Sequence, residues 1–182
     1  MTTTFATRSA WYDRWTKPDL ASLVEALKMH HRRQFSNFIE KLDALERTEQ
    51  SIIWFGPSWR WTIAYTMPPV AVHGGSNGRS ARSSKANTPP KEPEIVCYLV
   101  PSVENPLVCV PLCDAEVAEV CAAKGQFGRY IKDGVATAKC AVTTRWATWA
   151  PATENETKQI LDLIRRKYDN LCRQQGGNPQ DN

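Results

Sequence analysis

Two hydrophobic periods divide this chain, and their order restricts its fold more than any other feature. Near both ends, apolar residues recur every three or four positions; between those stretches they gather in short runs of strand length. Leu20, Leu23, Val24, Leu27, Phe35, Phe38, Ile39, Leu42 and Leu45 keep an i, i+3/i+4 rhythm, with His31 filling the gap on the same face. This predicts one long amphipathic helix, opened by Thr16 and Asp19 as a capping box with Asp in place of the usual Glu. At the other end, Thr153 and Glu156 form a capping box, and Ile160, Leu161, Ile164, Tyr168 and Leu171 form the inner stripe of a second helix. Asp162 and Arg166 add an outer i, i+4 pair, and Gly176-Gly177 end the helix.

The middle is β-rich. QSIIWF, a Gly-Pro-Ser turn and WRWTIAYT read as two strands, followed by EIVCYLV and NPLVCVPL as a hairpin. Neither hairpin strand alternates cleanly, which predicts coverage on both faces. Asp114 then caps a short helix, DAEVAEVCAAK, with Val117, Val120 and Cys121 inward and Gly125 as its stop. GRYIKDGVATAKCAVTTRWATW reads as further strand, with Asp133-Gly134 as a tight turn. Helices gathered around a run of strands indicate α+β, not the alternation of a parallel fold. The expected architecture is a mainly antiparallel sheet covered by the long N-terminal helix and the C-terminal helix. It spans 16–172, after an N-terminal extension over 1–15 and before a polar tail over 173–182.

A flexible basic insertion over 73–93 interrupts two of the strands. It is rich in Gly, Ser, Asn and Pro and has no apolar period, so it cannot bury enough surface to order itself. It also carries the charge. The chain has 23 basic and 19 acidic residues; without Arg79, Arg82, Lys85 and Lys91 the two counts match. The net charge of +4 therefore describes one segment, not the body.

At 182 residues the chain is long enough for a core without staples. No run approaches the roughly 18 apolar residues that a membrane span requires. The start, MTTTFATRSAWYDRW, lacks the apolar stretch of a secretory signal, so the expectation is a cytoplasmic protein with its six cysteines reduced. Most of those cysteines sit among Val, Leu and Ala and read as small apolar residues on buried strands.

The order helix, ERTEQSIIWFGPSWRWTIAY, CYLVP with a hairpin, short helix, and ENETKQILDLIRRK is similar to the YdhG-like domain. It is closer still to an uncharacterised bacterial family related to that domain. The resemblance covers roughly Asp19 to Tyr168, and departs from it in the basic loop and the N-terminal WYDRW. It implies a helix-covered antiparallel sheet in a small cytoplasmic protein. Some members are described as intracellular iron chaperones, and the resemblance brings no set of catalytic residues.

Trp59, Trp61, Ile63 and Tyr65 share one face of an extended strand. They are either the wall of the core or, with Arg145 at the rim, the floor of a cleft for a small planar or apolar ligand or a protein partner. Arg60 alternates to the other side, which makes Arg145 the better rim residue. A rival reading makes Arg79, Arg82, Lys85 and Lys91 an electrostatic arm for single-stranded nucleic acid, releasing about four counterions on binding. No G-x-S-x-G, H-E-x-x-H, P-loop or G-x-G-x-x-G occurs, so the reading is a non-enzymatic binding module with no named cofactor. An enzyme reading would use Cys113, beside a helix start, or His31. His30 and His31 point about 100° apart on a helix and do not readily chelate one ion. His31 is expected partly buried, and His30 at the surface.

Overall fold

The computed structural model describes residues 10–70, 92–123 and 125–176. A 3-10 turn, Ala10–Tyr12, leads to helices α1 (Leu20–Glu25) and α2 (Met29–Asp43). Strands β1 (Glu49–Trp54), β2 (Trp61–Met67), β3 (Glu94–Val100) and β4 (Leu107–Cys113) follow. Then come α3 (Asp114–Ala122), α4 (Arg129–Ala136), β5 (Lys139–Ala141), β6 (Thr144–Trp149) and the long α5 (Glu154–Gln174). The strands form one six-stranded sheet in the order β1-β2-β3-β4-β6-β5, with every neighbouring pair antiparallel. The fold is α+β, with N-terminal helices and a long C-terminal helix packed on the sheet. The insertion expected over 73–93 lies mostly outside the described residues.

One face of the sheet carries the main core. Ile63, Cys97, Leu99, Val108 and Val110 meet Phe35 and Phe38 of α2 and Ile160, Leu163 and Ile164 of α5, all essentially without solvent contact. Each such aliphatic side chain contributes about 1.5–3 kcal/mol by leaving water, which makes this layer the dominant stabilising one. Trp11, from the stretch expected as an extension, belongs to the same core at 5% exposure. It is held there because the Arg60 guanidinium lies 4.8 Å from its ring and 4.1 Å from that of Tyr12. The indole N–H of Trp61 donates to the carbonyl of Asp13.

Several local expectations need correction. The single N-terminal helix is two helices. The apolar rhythm has only His31 between Leu27 and Phe35, and there the chain turns: Lys28 is extended at ψ 150, and the Arg32 guanidinium donates to the carbonyls of Glu25 and Leu27. The cap of α1 is Asp19 itself, accepting from Ser22 N at 2.6 Å, with no box from Thr16. In α3 the N-cap is Cys113, whose N–H donates to Glu116 at 2.8 Å; Glu116 points inward and Cys121 outward. Arg129–Ala136 is a helix, not a strand with a turn at Asp133-Gly134. Ile131 and Val135, four apart, are fully buried, and Gly134 is where α4 approaches the Trp149 indole. Asp162 and Arg166 do not pair; Arg166 reaches Gln126 at 2.8 Å and Glu119 at 3.3 Å. The capping box of α5 is present as expected, Glu156 N donating to Thr153 Oγ1 at 3.2 Å and Thr153 N to Glu156 Oε2 at 3.1 Å.

Candidate functional site

Trp59 and Trp61 do not share a face. Trp59 lies in the turn before β2, and Arg60 takes the left-handed backbone conformation, φ 52, which breaks the pleat between the two indoles. Hydrogen bonds from Phe55 N to Arg60 O at 2.8 Å and from Arg60 N to Gly56 O at 2.7 Å hold that turn. Gly56, at φ 102, supplies a conformation that a side chain would oppose. Trp61 is core, 7% exposed and edge-on to Trp54 at 5.5 Å. Tyr65 is core as well. Its hydroxyl donates to Asp43 Oδ1 at 2.8 Å and accepts from Gln50 Nε2 at 2.7 Å, and burial raises its pKa well above that of a free phenol. Arg145 pairs across the sheet with Leu112 and so faces the helices, bonding Asp114 at 3.1 Å. Of the four residues expected to line one cleft, three stand on the helix side, and Trp59 borders both the main core and the small cluster on the opposite face.

On the other face Trp59 joins three rings that the sequence reading did not single out. Phe55 stacks on Trp59 at 4.9 Å, and Tyr98 stacks on Trp146 at 5.8 Å. The two pairs meet edge-on, with centroids 5.2–6.1 Å apart, the arrangement that aromatic quadrupoles favour. Trp59, Tyr98 and Trp146 pack with Ala64 and Cys109 in a small cluster made, among the described residues, of strand and turn residues. Phe55 is 39% exposed, Trp59 and Trp146 are half-buried, and Tyr98 is buried, with its hydroxyl pKa raised by loss of water. The signal for this group was present in the two-sided burial of the hairpin. Once the helices are spent on one face, something apolar has to cover the other.

Trp146 also borders a cavity of about 500 Å³, where Ile95, Pro111, Cys113, Glu116 and Lys167 converge with it. Lys167 projects from α5 and is 8% exposed. Its ammonium donates to the carbonyl of Pro111 and stands 3.9 Å from Glu116 Oε2. Burial pulls its pKa below that of an ordinary lysine, opposed chiefly by the Glu116 carboxylate. The nearby thiols respond in the same physical way: burial drives Cys97 far up and Cys109 to about 12. Neither is available as a thiolate.

The remaining candidates stand apart from these rings. His31 is half-buried and His30 exposed, as the helical rhythm predicts, and the two rings lie 3.7 Å apart. Burial, and then the neighbouring His30, lower the pKa of His31. Among the described residues no three His, Cys, Asp or Glu side chains converge on a point where a metal could sit, and no helix is long and apolar enough to cross a membrane. Arg79, Arg82, Lys85 and Lys91 lie outside the described residues. All six cysteines are free; Cys97 and Cys109 are buried on strands as expected, Cys172 is buried on α5, and Cys113, Cys121 and Cys140 are exposed. Comparison of the chain with protein-family models, with curated proteins and with solved structures gives no match.

Proposed function

We propose that this chain is a small binding module that holds a planar, largely apolar ligand against Phe55, Trp59 and Trp146. The observation that carries the reading is the exposure of these rings on a face to which the described helices contribute no core residue. Apolar surface left in water forgoes about 25 cal/mol per Å², so a ligand that covers 100 Å² of it gains roughly 2.5 kcal/mol before any specific contact. A flat ring adds stacking on the indoles, about 1–3 kcal/mol for each ring engaged. Tyr98 and the Ala64–Cys109 floor hold the platform in place without touching the ligand.

The experiment is a fluorescence titration with planar probes: anilinonaphthalene sulfonate, indole and adenosine. The expected outcome is saturable binding of at least one probe, weakened about tenfold or more by Trp59→Ala or Trp146→Ala. Trp61→Phe, on the helix side, is expected to leave the affinity unchanged. Equal affinity in wild type and Trp59→Ala, or saturable binding by none of the three, overturns the proposal.

A further inference from the structure

We infer that Lys167 is a carbonyl-capturing amine, which forms an imine in its cavity with an aldehyde that carries no carboxylate. The inference does not depend on the aromatic face, since of those four rings only Trp146 borders the cavity. Lys167 is the one buried lysine among the described residues. A helix-surface lysine ordinarily runs its stem along apolar surface and leaves the ammonium in water. Here the ammonium is turned inward, onto a backbone carbonyl and towards a carboxylate.

A purely structural ion pair is the alternative, and the geometry speaks against it. At 3.9 Å the Lys167–Glu116 contact exceeds hydrogen-bond length, and Glu116 Oε2 is already engaged at 2.8 Å by Cys113 N. The buried ammonium has a backbone carbonyl as its direct acceptor, and the Glu116 carboxylate, beyond hydrogen-bond length, offsets only part of the cost of burial. Relief by deprotonation turns it into a nucleophile, as in other desolvated lysines. The depressed pKa of Lys167 has the same origin.

The walls select the partner. Trp146, Ile95 and Leu171 offer apolar surface, whereas Glu116 sets a carboxylate 3.9 Å from the amine and Glu94 adds a second acidic residue to the lining. Anionic carbonyl compounds such as α-keto acids are repelled, and a neutral apolar or aromatic aldehyde fits. The steps balance on the residues present. The Lys167 ammonium first closes the 3.9 Å to Glu116 to hydrogen-bond distance and gives it a proton; the freed amine attacks the carbonyl carbon, and a proton passes from nitrogen to oxygen, leaving a neutral carbinolamine. Glu116 returns its proton to the carbinolamine hydroxyl, which departs as water. The product is a protonated imine on Lys167 facing the Glu116 carboxylate, and the overall change is loss of one water.

The test traps that imine in the wild-type chain with benzaldehyde and sodium cyanoborohydride at neutral pH, read by peptide mass spectrometry. Lys167 is expected to acquire the benzyl group about tenfold or more faster than the exposed Lys41 and Lys158. Hydride does not fix adducts on Cys113, so the mark reports the amine alone. Labelling of Lys167 no faster than Lys41 and Lys158 overturns the inference. Pyruvate in place of benzaldehyde is expected to show no preference for Lys167; a preference equal to that for benzaldehyde overturns the partner class. Glu116→Gln is expected to slow Lys167 and leave Lys41 unchanged, and an unchanged Lys167 rate overturns the proton relay. The wild-type rates decide the main point even where that variant does not fold.

Discussion

Substituting Gly134 by Ala tests the packing of α4 with unusual sharpness, because two effects of opposite sign meet at one methyl group. In a helix interior the exchange stabilises by about 1 kcal/mol, since glycine loses more backbone freedom on folding than alanine does. At this position, however, a Cβ would lie within 3.0 Å of three atoms of the Trp149 indole. Trp149 is 3% exposed, and its Nε1 donates to Tyr130 O at 3.2 Å. The ring has to move, at an overpacking cost of about 1–3 kcal/mol, and loses a hydrogen bond worth about 1 kcal/mol. The net expectation for Gly134→Ala is destabilisation by about 2 kcal/mol, or a fall in Tm of about 4–8 °C for a chain of this length. The assay is thermal unfolding followed by circular dichroism, repeated in a Trp149→Phe background. There the collision is relieved and the same substitution is expected to be neutral or to raise Tm. A higher Tm in the wild-type background, or the same fall in both, refutes the close approach of α4 to β6.

Two further outcomes follow from single side chains. Val142 sits at the tip of the β5–β6 hairpin with φ 60 and is 98% exposed, so its β-branched side chain strains the turn and packs on nothing. Val142→Gly is expected to raise stability by about 0.5–1 kcal/mol in denaturant melts, and a loss of stability contradicts the turn geometry. With a thiol reagent, Cys113, Cys121 and Cys140 are expected to react in the native protein, and Cys97, Cys109 and Cys172 only after unfolding; fast reaction of Cys97 or Cys109 contradicts their placement between sheet neighbours.

The α+β class was legible because it depends on long periodic stretches and on strand-length runs, which tertiary context seldom overrides. The capping box of α5 was legible for a different reason: two residues three apart satisfy each other locally. What escaped depended on contacts between distant residues. Asp133-Gly134 carries the chemistry of a turn, and only the arrival of Trp149, fifteen positions after Gly134, explains why a glycine stands in that helix. The Trp59–Trp61 pair obeys strand parity only if the backbone between them is extended. The left-handed Arg60, kept by bonds to Phe55 and Gly56 and by its rings from Trp11 and Tyr12, is a product of the assembled turn. Lys167 and Glu116 are 51 positions apart and carry no motif; their approach exists only once α5 packs beside α3 and β4.

The face assignment of the aromatic residues is the point on which the binding proposal stands, and hydroxyl-radical footprinting reads it residue by residue. Oxidation is expected at Phe55, Trp59 and Trp146, with Trp61, Tyr65 and Trp149 protected until the chain unfolds. Oxidation of Trp61 as fast as Trp59, or protection of Phe55 and Trp59 alike, contradicts an exposed ring platform opposite the helices.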